Sequence, residues 1–250
     1  SRDYMHINNA IESFTALDEN VCVRNMNKSD LQWVLGWAEK EEWNPGLYDV
    51  EPLYAVDPEG FYVLEIKGKL IASLSAVKQS QRLVFMGLFI VLSEFRGLGY
   101  GSMLWDVVMQ KIRSFPTIGL DAVVNQVSRY EKSGFRSHFL NTRWQGKAGN
   151  IVNASNSTIE TNEVFSIDDL LEYDREVFLT SRKSFLIPWI KMPESRVLVA
   201  FDTHKKIVGY GVISRKIRGY KIAPLCANNE TIATTLLRGL SQFIDGDSEI

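Results

Sequence analysis

Apolar residues along the first half of the chain recur with two alternating periods. Residues 21–26 read as a short strand, and Leu31, Val34, Leu35 and Ala38 then fall at helical spacing and give one apolar face. Ser29, with Gln32 three positions later, is the expected helix cap. The helix must stop before Trp43-Asn44-Pro45-Gly46, which is turn chemistry. Beyond a second turn at Asp57-Pro58-Glu59-Gly60, residues 61–66, 70–76 and 83–92 read as three strands with tight connections, an antiparallel meander. The third is apolar almost throughout, which predicts a central strand buried on both faces. Leu104, Val107, Val108 and Ile112 predict a helix, and residues 118–124 a strand lying parallel to the one before that helix. Residues 126–132 fit a short helix closed by Ser133-Gly134, and residues 135–140 a last strand.

The pattern then breaks. Residues 146–162 are rich in Gly, Asn, Ser and Thr, the composition of a connector. The expected division is an N-terminal extension at 1–20, a first domain at 21–146, a connector at 147–162 and a second domain at 163–250. In the second domain Ser166 with Asp169 can cap a helix to about residue 178. Strands follow at 196–201, 207–214 and 221–225, and Ile232, Leu236, Leu237, Leu240 and Phe243 line a final helix. That order repeats the first domain as far as its longer helix.

Composition narrows the classes. The chain has 250 residues, with 28 Lys and Arg against 30 Asp and Glu, a net charge of −2. Such a balance excludes a nucleic-acid binder that works by neutralising phosphates. With 45% hydrophobic and 23% charged residues, low-hydrophobicity disorder is excluded for most of the chain. Cys22 and Cys226 fall in no metal or redox spacing and read as two buried thiols in a reducing compartment. His6, His138 and His204 are scattered, so no metal is expected. No stretch is long enough for a membrane helix, and residues 1–6 are polar without a signal core, so a cytoplasmic location is expected. The glycosylation patterns at Asn153 and Asn156 are discounted as chance matches.

The strongest chemical signal is Arg96-Gly97-Leu98-Gly99-Tyr100-Gly101-Ser102, after an apolar strand and at the opening of a helix. Glycines let backbone N–H groups approach a ligand, and a helix N-terminus supplies unbonded donors and positive potential, so the turn suits a phosphate. It fails as a P-loop, because Ser102 and Met103 follow the last glycine where a Lys-Ser/Thr pair is needed. It fails as a dinucleotide fingerprint, because Ser102 stands where a third glycine is needed and a meander precedes it. A glycine turn without any ligand remains open.

Arg96-x-x-Gly99-x-Gly101 in this context resembles the acyl-CoA signature of the GNAT superfamily of N-acyltransferases. The element order over about residues 20–146 is similar to that fold, an α/β (α+β) domain with a mixed, mostly antiparallel sheet flanked by helices. The resemblance implies that the backbone of Arg96, Gly97, Leu98, Gly99, Tyr100, Gly101 and Ser102 holds the pyrophosphate of acetyl-CoA. It also implies that the preceding strand, at Phe89, Ile90 and Val91, pairs with the pantetheine arm. Tyr130-Glu-Lys-Ser-Gly-Phe135 resembles the family motif whose tyrosine faces the thioester sulfur. Many members carry an Asn seven residues before that tyrosine; Val123 stands there, and Asn125 or Gln126 is expected to replace its contact. Trp43-Asn-Pro-Gly46, Asp57-Pro, Gly119-Leu-Asp121 and Asn141-x-Arg143 together look like a branch in which a second GNAT-like domain follows the first. At the corresponding turn of the second half stands Pro224-Leu-Cys-Ala-Asn-Asn-Glu230, with neither Gly nor Arg, so that domain is expected to lack a cofactor site.

The chemistry implied by the resemblance is direct attack of an amine on the thioester of acetyl-CoA. The acceptor is a small-molecule amine or amino acid, with a peptide lysine as a further option. Tyr130 is the candidate acid for the leaving thiolate; the plain alternative is a core tyrosine. The N–H of Val91 is a candidate oxyanion donor. The base stays open between Asp121 and the acidic residues Glu41, Glu42, Asp49 and Glu51 around the Trp43–Pro45 turn, which equally suit a solvated loop. The alternative of another class is a non-catalytic acyl-CoA-binding or sensing module.

Overall fold

The structure is a computed structural model that describes residues 20–151 and 159–250. The expected extension, but for residue 20, and both glycosylation patterns lie outside the described residues. In chain order the main elements are β1 (Val21–Asn25), α1 (Lys28–Lys40), α2 (Val50–Val56), β2 (Phe61–Ile66), β3 (Lys69–Lys78), β4 (Leu83–Val91), α3 (Tyr100–Ile112), β5 (Thr117–Leu120) and α4 (Val127–Lys132). They continue with β6 (Glu160–Asn162), α5 (Ile167–Phe178), α6 (Lys183–Ile190), β7 (Ser195–Phe201), β8 (Ile207–Arg215), β9 (Tyr220–Ala227) and α7 (Glu230–Ser241). Two compact units result. The first comprises the described residues up to Glu41 with Asp57–His138; the second comprises Glu42–Val56 with Phe139–Ile250.

In the first unit the strands lie in the order β1-β2-β3-β4-β5, antiparallel through β4, with β5 parallel to β4. Leu104, Val108 and Ile112 of α3 bury against Leu64, Val84 and Met86 of the sheet. Burial of such side chains contributes about 1.5–3 kcal/mol each. Helix α1 starts two residues earlier than a cap at Ser29 would place it. Asn27 is the cap: its Oδ1 accepts the Asp30 N–H at 2.8 Å, and the Asp30 carboxylate accepts the Asn27 N–H at 2.9 Å. Asp30 prevails because Arg24 also bonds it, at 2.6 Å, and that guanidinium holds its carboxyl below the usual range.

Strand β4 departs from expectation in an informative way. It is not buried on both faces: Val84 and Met86 are covered, while Phe85 between them is 38% exposed. Ser75 pairs with Gly87 and Ser73 with Ile90, so Leu88 and Phe89 together oppose Leu74. This is a β-bulge, and Leu88 takes a φ of +47° in it. The Ser73 hydroxyl donates to the Leu88 carbonyl at 2.7 Å and fixes the bulge. The extra residue resets the alternation, so that Phe89 and Val91 join the same core as Val84 and Met86. Strand β5 is also shorter than the apolar run suggested. It pairs residues 117–120 with 83–86 of β4 and stops. Residues 87–91 of β4 therefore have a ladder on their β3 side alone.

The last strand expected at 135–140 does not form. Those residues have no regular structure and no ladder partner among the described residues, and Phe139 is 75% exposed. A period-two pattern becomes a strand only where an edge accepts it, and none does here. His138 consequently lies on no strand. The cysteines are not the buried thiols expected: Cys22, on the edge strand β1, is exposed and Cys226 is half-buried.

The second unit has the antiparallel sheet β6-β7-β8-β9. Its strand β6 falls inside the stretch read as a connector. Leu170, Leu186 and Trp189 of α5 and α6 pack on Val199 and Val212, and Ile232, Leu236 and Leu240 of α7 pack on Leu198 and Ile213. The cap at Ser166 forms as the spacing predicts, accepting the Asp169 N–H. Asp174 is buried but paired, taking bonds from Tyr210 Oη at 2.6 Å and Arg182 Nε at 3.0 Å.

The turn and helix between α1 and β2 belong to this second unit, where α2 packs against α6. Asn44 exchanges two bonds with the Arg218 backbone, at 2.8 and 3.0 Å. The Asp49 carboxylate accepts the Gly46 N–H at 2.8 Å and Lys216 Nζ at 3.0 Å, and Lys216 is only 2% exposed. Removing one member of a buried pair strands the other charge. Lys216→Met is expected to destabilise the second unit by about 3 kcal/mol, whereas Lys216→Met with Asp49→Asn recovers most of that loss. Urea unfolding of both variants checks the contrast.

Candidate active site

The carboxyl ends of β4 and β5 lie on the same side because the two strands run parallel, and both lead into the predicted site. After β4 the chain makes one tight turn at Ser93–Phe95 and enters the glycine segment. Gly97 and Gly99 have φ of +76° and +90°, the left-handed region where a side chain is strained. Gly99 caps α3 without any side-chain bond, and the first intrahelical bond runs from the Met103 N–H to the Gly99 carbonyl at 3.0 Å. The N–H groups of Tyr100, Gly101 and Ser102 thus head the helix without intrahelical acceptors. At Gly101 a Cβ would stand 3.1 Å from Val91 Cγ2, so the absence of a side chain lets the helix start close against β4. Leu98 points outward and is exposed.

The open side of β4 faces the same region. Leu92 donates to the Ile71 carbonyl at 2.9 Å, so by antiparallel alternation Val91 turns its N–H and C=O away from β3. The Val91 carbonyl is taken by Arg96 Nε at 2.7 Å. Ile90 is buried and directs its backbone to Ser73 of β3. Of the strand residues named for backbone contact with a ligand, Val91 has its N–H turned away from β3, whereas Ile90 faces Ser73. Arg96 presents its side chain to protein rather than to a ligand, bonding Glu41 as well as Val91.

Beyond β5 a single turn at Val124–Gln126 carries Asn125 and Gln126 to the start of α4. Asn125 is exposed and Gln126 half-buried. Tyr130 is half-buried in an aromatic group, with Trp105 at 5.7 Å and Phe135 at 6.2 Å between ring centroids. Trp105 in turn contacts Phe89 of β4 at 5.6 Å, so the rings join α3, α4 and β4. Burial pushes the Tyr130 phenol above its usual value of 10.0, against an opposing pull from Arg129. The acidic residues do not form one reservoir of unpaired charge: Glu41 bonds Arg96 and Asp49 bonds Lys216. Asp121 is exposed just past the end of β5. Among the described residues no group of three His, Cys, Asp or Glu could hold a metal, and no helix is long and apolar enough to cross a membrane.

Comparison with known proteins bears on what this arrangement is. A profile described as the acetyltransferase (GNAT) family matches residues 26–135, and another described as an acetyltransferase (GNAT) domain matches residues 170–250. The chain belongs to the GNAT superfamily. It carries two GNAT domains in tandem and is an acyltransferase. It is similar to the holothin acyltransferase of Pseudoalteromonas sp. (strain SANK 73390), at 27% identity over 229 residues, covering 90% of this chain and 76% of that protein. Among solved structures, a Pyrococcus horikoshii protein described as a candidate acetyltransferase superposes with a TM-score of 0.70 at 18% identity, covering 92% of this chain and 79% of that one. A GCN5-related N-acetyltransferase from Kribbella flavida gives 0.53 at 15% identity, covering 92% and 63%. At these identities the structural matches speak for the GNAT fold alone.

The two GNAT domains differ at the matching helix. In the second, Asn229 caps α7 and its side chain accepts the Ile232 N–H at 3.0 Å, with Glu230 in the first turn. That helix start is occupied by its own side chain and carries negative charge, where α3 offers bare amides.

The sequence reading missed the bulge, the Arg96 hook on Val91 and the Trp105 contact with Tyr130. An isolated Gly87 within an apolar run was the available signal for the bulge. The glycine turn itself can be tested by strain. Gly99→Val places a β-branched residue at a φ of +90°, and about 1–3 kcal/mol of lost stability is expected. The exposed Leu98→Ala should stay within about 0.5 kcal/mol of the parent in the same denaturation measurement.

Proposed function

We propose that the first GNAT domain transfers an acetyl group from acetyl-CoA to a primary amine, and that the second domain has no cofactor site. The observation that carries this reading is the run of amides heading α3 beside the one-sided stretch of β4. A diphosphate needs several converging donors without competing side chains, and the left-handed Gly97 and Gly99 with the uncapped helix start meet that need. Residues Arg96 to Ser102 would hold the diphosphate through main chain. The edge of β4 at residues 89–91, which has no ladder on its β5 side, suits an extended amide-bearing arm, and Asn125 or Gln126 would contact the cofactor from the other strand end. Self-capping of α7 by Asn229 supports the absence of such a site in the second domain.

Acetyl-CoA supplies an activated acyl carbon that an amine can attack directly. The protein's part is to orient the thioester and to manage protons. As the C–N bond forms and the C–S bond breaks, the amine loses a proton and the departing sulfur takes one from the Tyr130 phenol. A phenol pushed upward by burial stays protonated at neutral pH, as an acid must. The N–H of Val91 is the candidate donor to the carbonyl oxygen. The base is not assigned; Asp121 lies nearest in sequence to the strand end.

Titration calorimetry with acetyl-CoA tests the binding half. Thiol release in the presence of small amines, amino acids, lysine peptides and holothin, the compound in the relative's name, tests the transfer half. Tyr130→Phe should leave binding within about two-fold and lower kcat at least about ten-fold. The parent kcat should be insensitive to this group through neutral pH and fall only above pH 10, where the phenol deprotonates. Binding without any thiol release would instead assign the chain as an acyl-CoA-binding module.

A further inference from the structure

We propose that Glu41 is a positioning residue for cofactor binding, acting through Arg96; the inference rests on the acetyl-CoA reading above. Arg96 opens the glycine turn, where a cation would be expected to meet an anion itself. Its side chain is committed elsewhere. Arg96 Nε donates to the Val91 carbonyl at 2.7 Å, and Nη2 donates to Glu41 Oε1. One planar guanidinium thereby ties the last residue of β4 to the C-terminal cap of α1. Two consequences follow for the turn it opens. The entry to Gly97 is held at a fixed point on the strand end, and the positive charge is balanced by a carboxylate instead of being aimed at a ligand.

The pair is exposed, with side chains 51% and 36% accessible for Arg96 and Glu41. An exposed pair adds little to folding stability. Its value lies in geometry: Arg96 has one acceptor from the strand and one from the helix, and a single amine at this position could not span both with fixed directions. Glu41 also sits among the acidic residues that could be read as the base. The two roles separate by experiment, because a base acts on turnover and a brace acts on binding.

The test is the affinity for acetyl-CoA, measured by calorimetry on the full chain, for Glu41→Gln, Glu41→Ala and Arg96→Lys. Glu41→Gln keeps an oxygen acceptor for Nη2 and should bind acetyl-CoA within about two-fold of the parent, as rescue by the conservative variant requires. Glu41→Ala and Arg96→Lys should each weaken binding by about five-fold or more while their melting temperatures stay near the parent's. Binding of the acetyl thioester of N-acetylcysteamine, which lacks the diphosphate, should not change in any variant. The inference is overturned if Glu41→Ala binds acetyl-CoA as the parent does, or if Glu41→Gln weakens it as much as Glu41→Ala. It is also overturned if the losses appear equally with the short thioester, or if Glu41→Gln loses turnover with binding intact, which would make Glu41 the base. A parent chain that binds no acetyl-CoA would sink the acetyl-CoA reading first, and this proposal with it.

Discussion

The bulge at Leu88 governs the first domain. An antiparallel sheet of regular strands would satisfy both edges of β4 along its length, and no backbone would remain for a ligand. Inserting one residue opposite Leu74 bends β4 just where its pairing with β5 ends. The strand then continues with donors and acceptors on one side unclaimed by any ladder, a condition that folded proteins seldom tolerate away from solvent or a binding site. The bond from Ser73 Oγ to the Leu88 carbonyl holds this arrangement against the strain of a left-handed leucine.

The glycine turn exploits that opening. Helix α3 can begin close to β4 because Gly101 adds nothing between the backbone and Val91. Its amides and the outward Val91 N–H then lie around the carboxyl ends of a parallel strand pair, the place where open α/β sheets gather ligands. Tyr130 is held by a different route, through tilted and edge-on ring contacts among Phe89, Trp105 and Phe135. Apolar packing fixes the position of the phenol, and the same packing raises the energy of its charged form.

Much of this was legible in the residues because it is local. The meander, the helix behind β4 and the cap at Ser166 follow from spacing and side-chain chemistry within a few positions. The glycine turn was legible for the same reason: its φ angles demand glycine wherever the rest of the chain goes. What escaped depended on residues far apart. The cap of α1 is the exception, equally local: Asn27 and Asp30 close a reciprocal box at i to i+3, and Arg24 reinforces it by bonding Asp30. The run 135–140 carries a strand's alternation, yet pairing is a property of two strands, and no edge receives it. Burial of β4 was overestimated because an unbroken apolar run does not reveal on which side a bulge will turn each residue. Among candidate site residues, Tyr130 and the turn stood out by motif, whereas the bonds of Arg96 to Val91 and Glu41 could not be read from a signature that records only its identity.

The excursion of residues 42–56 into the second unit has a bearing on how the protein is made. Asp49 and its partner Lys216 are separated by 167 positions. A ribosome delivers the whole of the five-stranded sheet before it delivers Lys216, so during synthesis the first unit can close around its own core while this strap waits. Its anchorage is then a late event with a long loop to close, slow by the measure of contact order. Until that moment the turn holding Trp43 to Gly46 lacks the bonds that Arg218 and Lys216 give it and its neighbour Asp49 in the finished chain.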